Sequence, residues 1–216
     1  MTFIQLINAV LNRLREDSIA VLDENDYATL IGKYVNEAKE EVENAWDWSH
    51  LRTYIDITTT AADGDYNLTG SNDRTRILDA YNVTKKGPIF QNRSNVWQNY
   101  YTVLSTQQGS PTQFDVTGVD STSGELKIRV YPTPDGIETL RFYAVVPQAE
   151  LASANTVLLV PSQPVVQLAY LRAINERGED QGRLSEIQQA LGIRTLQDAV
   201  AIDANKFEDE ITWRPI

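Results

Sequence analysis

WDWSHLRTYIDITTT, residues 46–60, is the stretch in which the chain changes its period. Before His50 apolar residues recur every three to four positions, and after it they alternate. Upstream, Tyr27, Leu30, Ile31, Tyr34, Val35, Ala38, Val42, Ala45 and Trp46 make one helical stripe. It predicts a helix reaching about residue 48, with Asp23 or Asp26 as its cap. Further upstream, Phe3, Leu6, Ile7, Val10, Leu11 and Leu14 predict a helix from about 2 to 15, and Thr2 with Gln5 fits a capping box.

Downstream the segments are short and rich in β-branched and aromatic residues: RTYIDITTT, TRILDAYNV, YYTVLST, TQFDVTGV, ELKIRVY and ETLRFYAVV. Turn residues such as Asp63-Gly64, Gly70-Ser71-Asn72-Asp73, Ser123-Gly124 and Asp135-Gly136 separate them. Such a series predicts an antiparallel sandwich or barrel. Residues 126–147 read as a hairpin folded back through Pro132-Thr133-Pro134-Asp135-Gly136. Its first strand would set Leu126, Ile128 and Val130 on a core face and Lys127, Arg129 and Tyr131 on a wet one.

Helical spacing returns after Pro161, with Ser162 as cap, Pro164 in the first turn, and Val165, Val166, Leu168, Ala169, Leu171 and Ile174 following. Glu176 to Asp180 turns the chain into a last helix carrying Leu184, Ile187, Leu191, Leu196 and Val200, with a break expected near Gly192. The fold class is therefore α+β: a helical bundle made from N- and C-terminal helices (1–50 and 156–205), a β-rich sandwich- or barrel-like insertion (51–155) and a tail (206–216). Helices from both ends must pair, because a lone amphipathic helix has nowhere to bury its stripe.

Composition removes several classes of function. The 216 residues include no cysteine and one histidine, which excludes disulfides and thiolate metal sites and leaves little for zinc. No run approaches the ~20 apolar residues needed to span a bilayer. The N-terminus is periodic at once and acidic by Glu16 and Asp17, unlike a cleavable signal, so a cytoplasmic site of synthesis is expected. The net charge of -11 is concentrated early, since residues 1–50 hold ten acids against four bases. Lys85-Lys86 is the one adjacent basic pair, too little to hold phosphates tightly.

Candidate chemistry is sparse. Glu37, Glu40, Glu41 and Glu43 read as a solvated helix face. Asp63 to Asn67 begins like a calcium loop but has Leu68 where the sharp turn needs glycine and Arg74 where the bidentate acid belongs. His50 sits at the end of the second helix, where the dipole favours a cation and the ring can bond a terminal carbonyl. No catalytic, cofactor-binding or metal-binding residue is assigned, and an enzyme is not expected. Trp97, Tyr100 and Tyr101 suit a core or subunit contact; a platform for stacking on a sugar is the alternative, which would make a β-sandwich carbohydrate- or receptor-binding module. Trp213-Arg214 combines two residue types enriched at interface hot spots, so the polar tail either docks on a partner or stays disordered.

The layout resembles the head-to-tail adaptor (connector) proteins of tailed bacteriophages, especially those of short-tailed phages. The resemblance is carried by the opening Thr2 to Leu14 helix, Trp46-Asp47-Trp48-Ser49-His50-Leu51, Asp65-Tyr66-Asn67-Leu68, Leu126 to Pro134, Phe142-Tyr143, Pro161 to Ala169 and the Glu176 to Asp180 corner. It implies a non-enzymatic virion protein without cofactors, assembled in the host cytoplasm into a twelvefold ring between the portal protein and the tail tube or nozzle. Double-stranded DNA would pass through that ring without tight binding. It also implies a portal-docking tail, with Phe207, Ile211, Trp213, Arg214 and Ile216 as candidates, and subunit contacts at Arg129, Arg141, Trp97 and Tyr101. The last ten residues match no family motif.

Overall fold

A computed structural model describes residues 1–22, 24–92, 107–178 and 183–206, the side chains of 183 and 184 excepted. The chain forms two compact units: Met1–Leu51 with Gln148–Ile216, and Arg52–Pro147. The class is α+β, with helices on either side of a sheet region in the sequence.

In the first unit, α1 (Phe3–Arg13) starts as its capping box requires, the Gln5 side chain accepting from the Thr2 N–H at 3.0 Å. It buries Phe3, Leu6, Ile7, Val10 and Leu11. In α2 (Asp26–Ala45) the cap is Asn25, not Asp23 or Asp26; its side chain accepts from Ala28 N–H at 2.7 Å. The helix also stops earlier than its apolar stripe suggested. Trp46 is extended, and buried Trp48 folds back to donate its indole N–H to the Val42 carbonyl at 2.7 Å, continuing the apolar pattern without continuing the helix.

α3 (Ser162–Arg177) is covered as its sequence predicts, burying Pro164 to Ala169, Ala173 and Ile174. Pro161, not Ser162, holds the cap position, and Ser162 is the first helical residue. α4 (Arg183–Ala204) runs unbroken through Gly192. Helix packing explains that glycine: a Cβ there would stand 3.1 Å from Leu168 Cδ2, so its absence lets α4 lie close on α3. Chain ends do pair, as expected. Arg13 donates to Gln167 at 2.6 Å, Arg172 to Glu41 at 2.7 Å, and Arg177 to Glu16 and to the Tyr27 hydroxyl, each at 2.6 Å.

One residue of the expected solvated acidic face is not solvated. Glu43 is buried with Lys39, whose ammonium lies 3.2 Å from its Oε1 and donates to the Gln148 carbonyl at 2.7 Å. Gln148 N–H donates to the same Glu43 oxygen, and Asn36 exchanges two hydrogen bonds with Leu151. Residues 36, 39 and 43 share one helix face, so a polar ladder on α2 pins the chain where it re-enters this unit.

Among the described residues, the second unit is a sandwich of two four-stranded sheets. One has the order β1 (Arg52–Thr58), β8 (Thr139–Val145), β3 (Arg76–Asn82), β4 (Gly87–Pro88); the other has β2 (Asp65–Asn67), β7 (Leu126–Tyr131), β6 (Gln113–Val119), β5 (Phe90–Gln91). Pairing is antiparallel except between β5 and β6, which makes the second sheet mixed. Ile55, Leu140 and Phe142 meet Phe114, Ile128 and Val130 in a shared core, with Phe114 and Phe142 edge to face at 5.2 Å. Each fully buried side chain of this kind contributes ~1.5–3 kcal/mol relative to exposure.

The expected hairpin does not form. β7 pairs with β2 and β6, whereas β8 pairs with β1 and β3, so the two strands belong to different sheets. Pro132 and Pro134 remove two N–H donors from what would be the closing ladder. The groups that remain bond elsewhere: Thr133 N–H to Gln107, Gly109 N–H to the Thr133 carbonyl, and Ala62 N–H to the Pro134 carbonyl. Residues 132–138 are thus an arch from one sheet to the other. The alternation of β7 stands as read, with Leu126, Ile128 and Val130 buried.

Candidate protein-protein interface

Period-2 alternation fixes which side chains leave the core. On the first sheet, register places Asp56 opposite Arg141 and Arg141 opposite Tyr81, while Tyr54 is opposite Tyr143. Arg141 donates from Nε and Nη2 to the two Asp56 oxygens, both at 2.7 Å. Its guanidinium lies 4.1 Å from the Tyr54 ring centre, and Tyr54 meets Tyr143 edge to face at 6.5 Å. Tyr54, Tyr143 and Tyr81 remain 55%, 43% and 38% exposed, too much for core residues. The Arg141 hydrogen bonds hold the Asp56 carboxyl below the usual carboxylate range, and those same bonds raise the guanidinium's own affinity for its proton. The surface is therefore an ordered aromatic and cationic cluster.

The second sheet's outer face repeats the ion pair with different neighbours. Arg129 donates from Nε and Nη2 to the Asp65 oxygens at 2.7 and 2.9 Å, and Asp115 stands across from it on β6. Hydrogen bonding to Asp65 raises the Arg129 pKa; burial raises that of Asp115. Lys127 meets Asp120 at 2.8 Å. Around this pair the face is polar, and an exposed aromatic, Phe90, stands beside Gln113 at its β5 edge.

Arg129 and Arg141, named together from sequence as neighbours on one hairpin, thus point outward from opposite sheets. Trp97 and Tyr101 lie outside the described residues, as do Tyr100 and all of Phe207, Ile211, Trp213, Arg214 and Ile216. Tyr54, Asp56 and Tyr81 were not singled out in the sequence, and Tyr143 was named only within the Phe142-Tyr143 strand. Strand alternation could have found them, because Tyr54, Asp56 and Thr58 lie on the face opposite Ile55 and Ile57.

Ser49, His50 and Asp203 also come together, in the helical unit. Ser49 donates its hydroxyl to Asp203 Oδ1 at 2.6 Å and its N–H to Oδ2 at 2.9 Å, and Lys206 donates to both side chains. His50 is not a helix cap: it lies in a 3-10 turn, Ser49–Leu51, with Nδ1 3.3 Å from the Ser49 hydroxyl. A nucleophilic triad needs the histidine between acid and serine. Here the acid accepts the serine hydroxyl's hydrogen bond directly, so the cluster clamps the end of α4 to the turn. Burial pushes the Asp203 carboxyl up, but hydrogen bonds from Lys206 and Ser49 outweigh it and hold the group at about 2. Among the described residues, no group of acids and histidines is arranged to hold a metal, and no helix is long and apolar enough to cross a membrane.

A family model described as SU10 adaptor protein matches residues 1–209. No curated protein matches the chain.

Proposed function

This chain belongs to the SU10 adaptor protein family and is a bacteriophage structural adaptor, and from that premise we propose that it forms a twelvefold ring joining the portal protein to the tail tube or nozzle. The ring assembles in the host cytoplasm and becomes part of the head-tail junction of the virion. The observation that carries this reading onto particular residues is the Tyr54–Arg141–Tyr143 cluster. Tyr and Arg are among the residues that dominate binding energy at protein interfaces. An arginine already fixed by a bidentate carboxylate and a ring loses little further freedom when a partner covers it. The first sheet's outer face is then the surface that a ring neighbour or portal subunit covers.

The acidic balance supports a channel that DNA traverses without adhering, since a negative wall repels phosphates within a Debye length of ~8 Å. Glu37, Glu40 and Glu41 are exposed acids of α2 that would form such a wall, Glu37 and Glu41 already sharing Arg172; buried Glu43 is not one of them. The test is negative-stain imaging of the protein co-expressed with the portal protein from the same genome, beside each alone. A new ring layer on one end of the portal particle supports the adaptor role. Bare portals with folded adaptor in excess overturn it.

A further inference from the structure

The chain passes between its two units twice, and both crossings are tied to one stretch of α2. The outward crossing, Leu51 to Arg52, follows Trp48, whose indole N–H is held by the Val42 carbonyl at 2.7 Å. The return crossing, Pro147 to Gln148, meets Lys39 and Glu43. Lys39 donates to Glu43 Oε1 at 3.2 Å, to the Gln148 carbonyl at 2.7 Å and to the Ala149 carbonyl at 3.3 Å, which accounts for all three N–H groups of its ammonium. Glu43 Oε1 also accepts from the Gln148 N–H at 3.2 Å. Further up the helix, Asn36 accepts from the Leu151 N–H at 2.9 Å and donates to the Leu151 carbonyl at 3.1 Å.

Apart from a long contact between Asn36 and the Glu150 side chain at 3.5 Å, each of these bonds to the return segment is made to backbone. The ladder therefore recognises positions in the chain and not side-chain identity. The two spacings match: Asn36 to Glu43 rises ~10 Å along a helix, and Gln148 to Leu151 spans ~10 Å when extended. A slip of one residue would move the segment by ~3.3 Å, far outside the ~0.5 Å range of hydrogen-bond lengths. It would strand a buried ammonium and a buried carboxylate without their backbone partners.

Stability alone does not call for such a pair. Replacing both members of a buried ion pair by well-packed apolar residues is often neutral or stabilising, and the best-attested use of a buried polar group is to fix register. The same helix buries Val35, Ala38 and Val42, and the segment buries Leu151, so apolar contact is already present to hold the two together. We infer that Asn36, Lys39 and Glu43 are positioning residues that select one register for the return crossing, and that only this register enters the ring. Lys39 and Glu43 are buried, so they act through Gln148 to Leu151. The last step rests on the adaptor reading; the register itself does not.

The full-length double variant Lys39→Met/Glu43→Leu is compared with the unaltered chain by denaturant unfolding, by residue-resolved amide hydrogen exchange and by decoration of portals. The unfolding midpoint should stay in place or rise, while protection of the Gln148 and Leu151 amides falls by on the order of tenfold and that of the α1 and α3 amides is kept. The ring layer should be lost. The swapped variant Lys39→Glu/Glu43→Lys keeps an ion pair but sets a carboxylate against the Gln148 and Ala149 carbonyls, so it too should lose protection at Gln148 and Leu151. Full protection there in either variant overturns the inference. So does a midpoint that falls together with protection throughout the helical unit, because the pair would then be a plain stabilising contact. A double variant that loses protection at Gln148 and Leu151 yet decorates portals normally overturns the positioning role and leaves the adaptor reading standing. Portals left bare by the unaltered chain overturn the adaptor reading, and exchange on the protein alone still decides the register.

Discussion

The two outward faces of the sandwich carry the same device in different surroundings. On each, an arginine from a central strand makes a bidentate pair with an aspartate on the adjoining edge strand, Arg141 with Asp56 and Arg129 with Asp65. Arg141 is roofed by Tyr54 beside Tyr143, whereas Arg129 faces a second acid, Asp115. Exposed ion pairs contribute ~0–1 kcal/mol to folding, so neither pair explains why the sheets are stable. What differs is the response to a covering partner. A cation over an aromatic ring contributes ~0.5–1 kcal/mol in water and ~2 kcal/mol or more once desolvated, while an arginine between two acids resists losing its water. The same motif thus suits the proposed interface around Arg141 better than it does around Arg129.

Breaking what the faces share has the largest effect. Phe142→Ala removes the ring that packs on Phe114 across the sheets and should cost ~3–5 kcal/mol in denaturant unfolding, loosening both faces at once. A loss below ~1 kcal/mol would show that the sheets do not depend on a common core.

Next comes the asymmetry itself. Arg141→Glu should abolish the ring layer on portals, because it sets two acids side by side under the tyrosines, while changing unfolding free energy by only ~1 kcal/mol. Arg129→Glu should leave the ring layer in place. Equal effects of the two on assembly would erase the distinction between the faces. Tyr54→Ala is the milder version: ~1–2 kcal/mol weaker association, seen as a higher portal concentration for half-decoration, with folding changed by less than ~1 kcal/mol.

The smallest effect is a difference in sign with pH. Asp56 is held below its unfolded value by Arg141, so its contribution is present above the unfolded carboxylate pKa of ~4 and is lost as pH falls through the folded value. Asp115 is raised by burial, so its contribution is present below ~4 and is lost as pH rises through its folded value. Asp56→Asn should therefore flatten the loss of thermal stability on acidification, and Asp115→Asn should steepen it. Matching slopes in the two variants would show that the carboxylates feel the same environment.

Much of the fold was legible because local patterns and burial agree. The α1 stripe and capping box, the covered α3 and the alternation of β7 follow from residues within a turn or two of each other. Less legible were the ends of elements. Trp48 extends the helical pattern of α2 although its indole returns to Val42 after the helix has ended, and Gly192 resembles a break although it is a contact point for Leu168. In both, a side chain from elsewhere in the fold decides what the local pattern leaves ambiguous. The cluster behind the proposed interface was half legible: Arg141 was named, but on the wrong partner strand and without Tyr54, which lies 87 positions earlier in the chain.

By itself, the sequence determined the class, the order of two helices, a β-rich stretch and two further helices, the absence of cysteine and the acidic balance. Each of these is set by composition or by periods of 3.6 and 2.0, which are properties of short segments. Tertiary structure decided which strands share a sheet, that residues 126–147 form an arch and no hairpin, and that Glu43 is a buried partner of Lys39 and no part of a wet face. Those outcomes depend on where backbone donors and charged groups find partners far away in sequence, and a one-dimensional pattern carries no term for that.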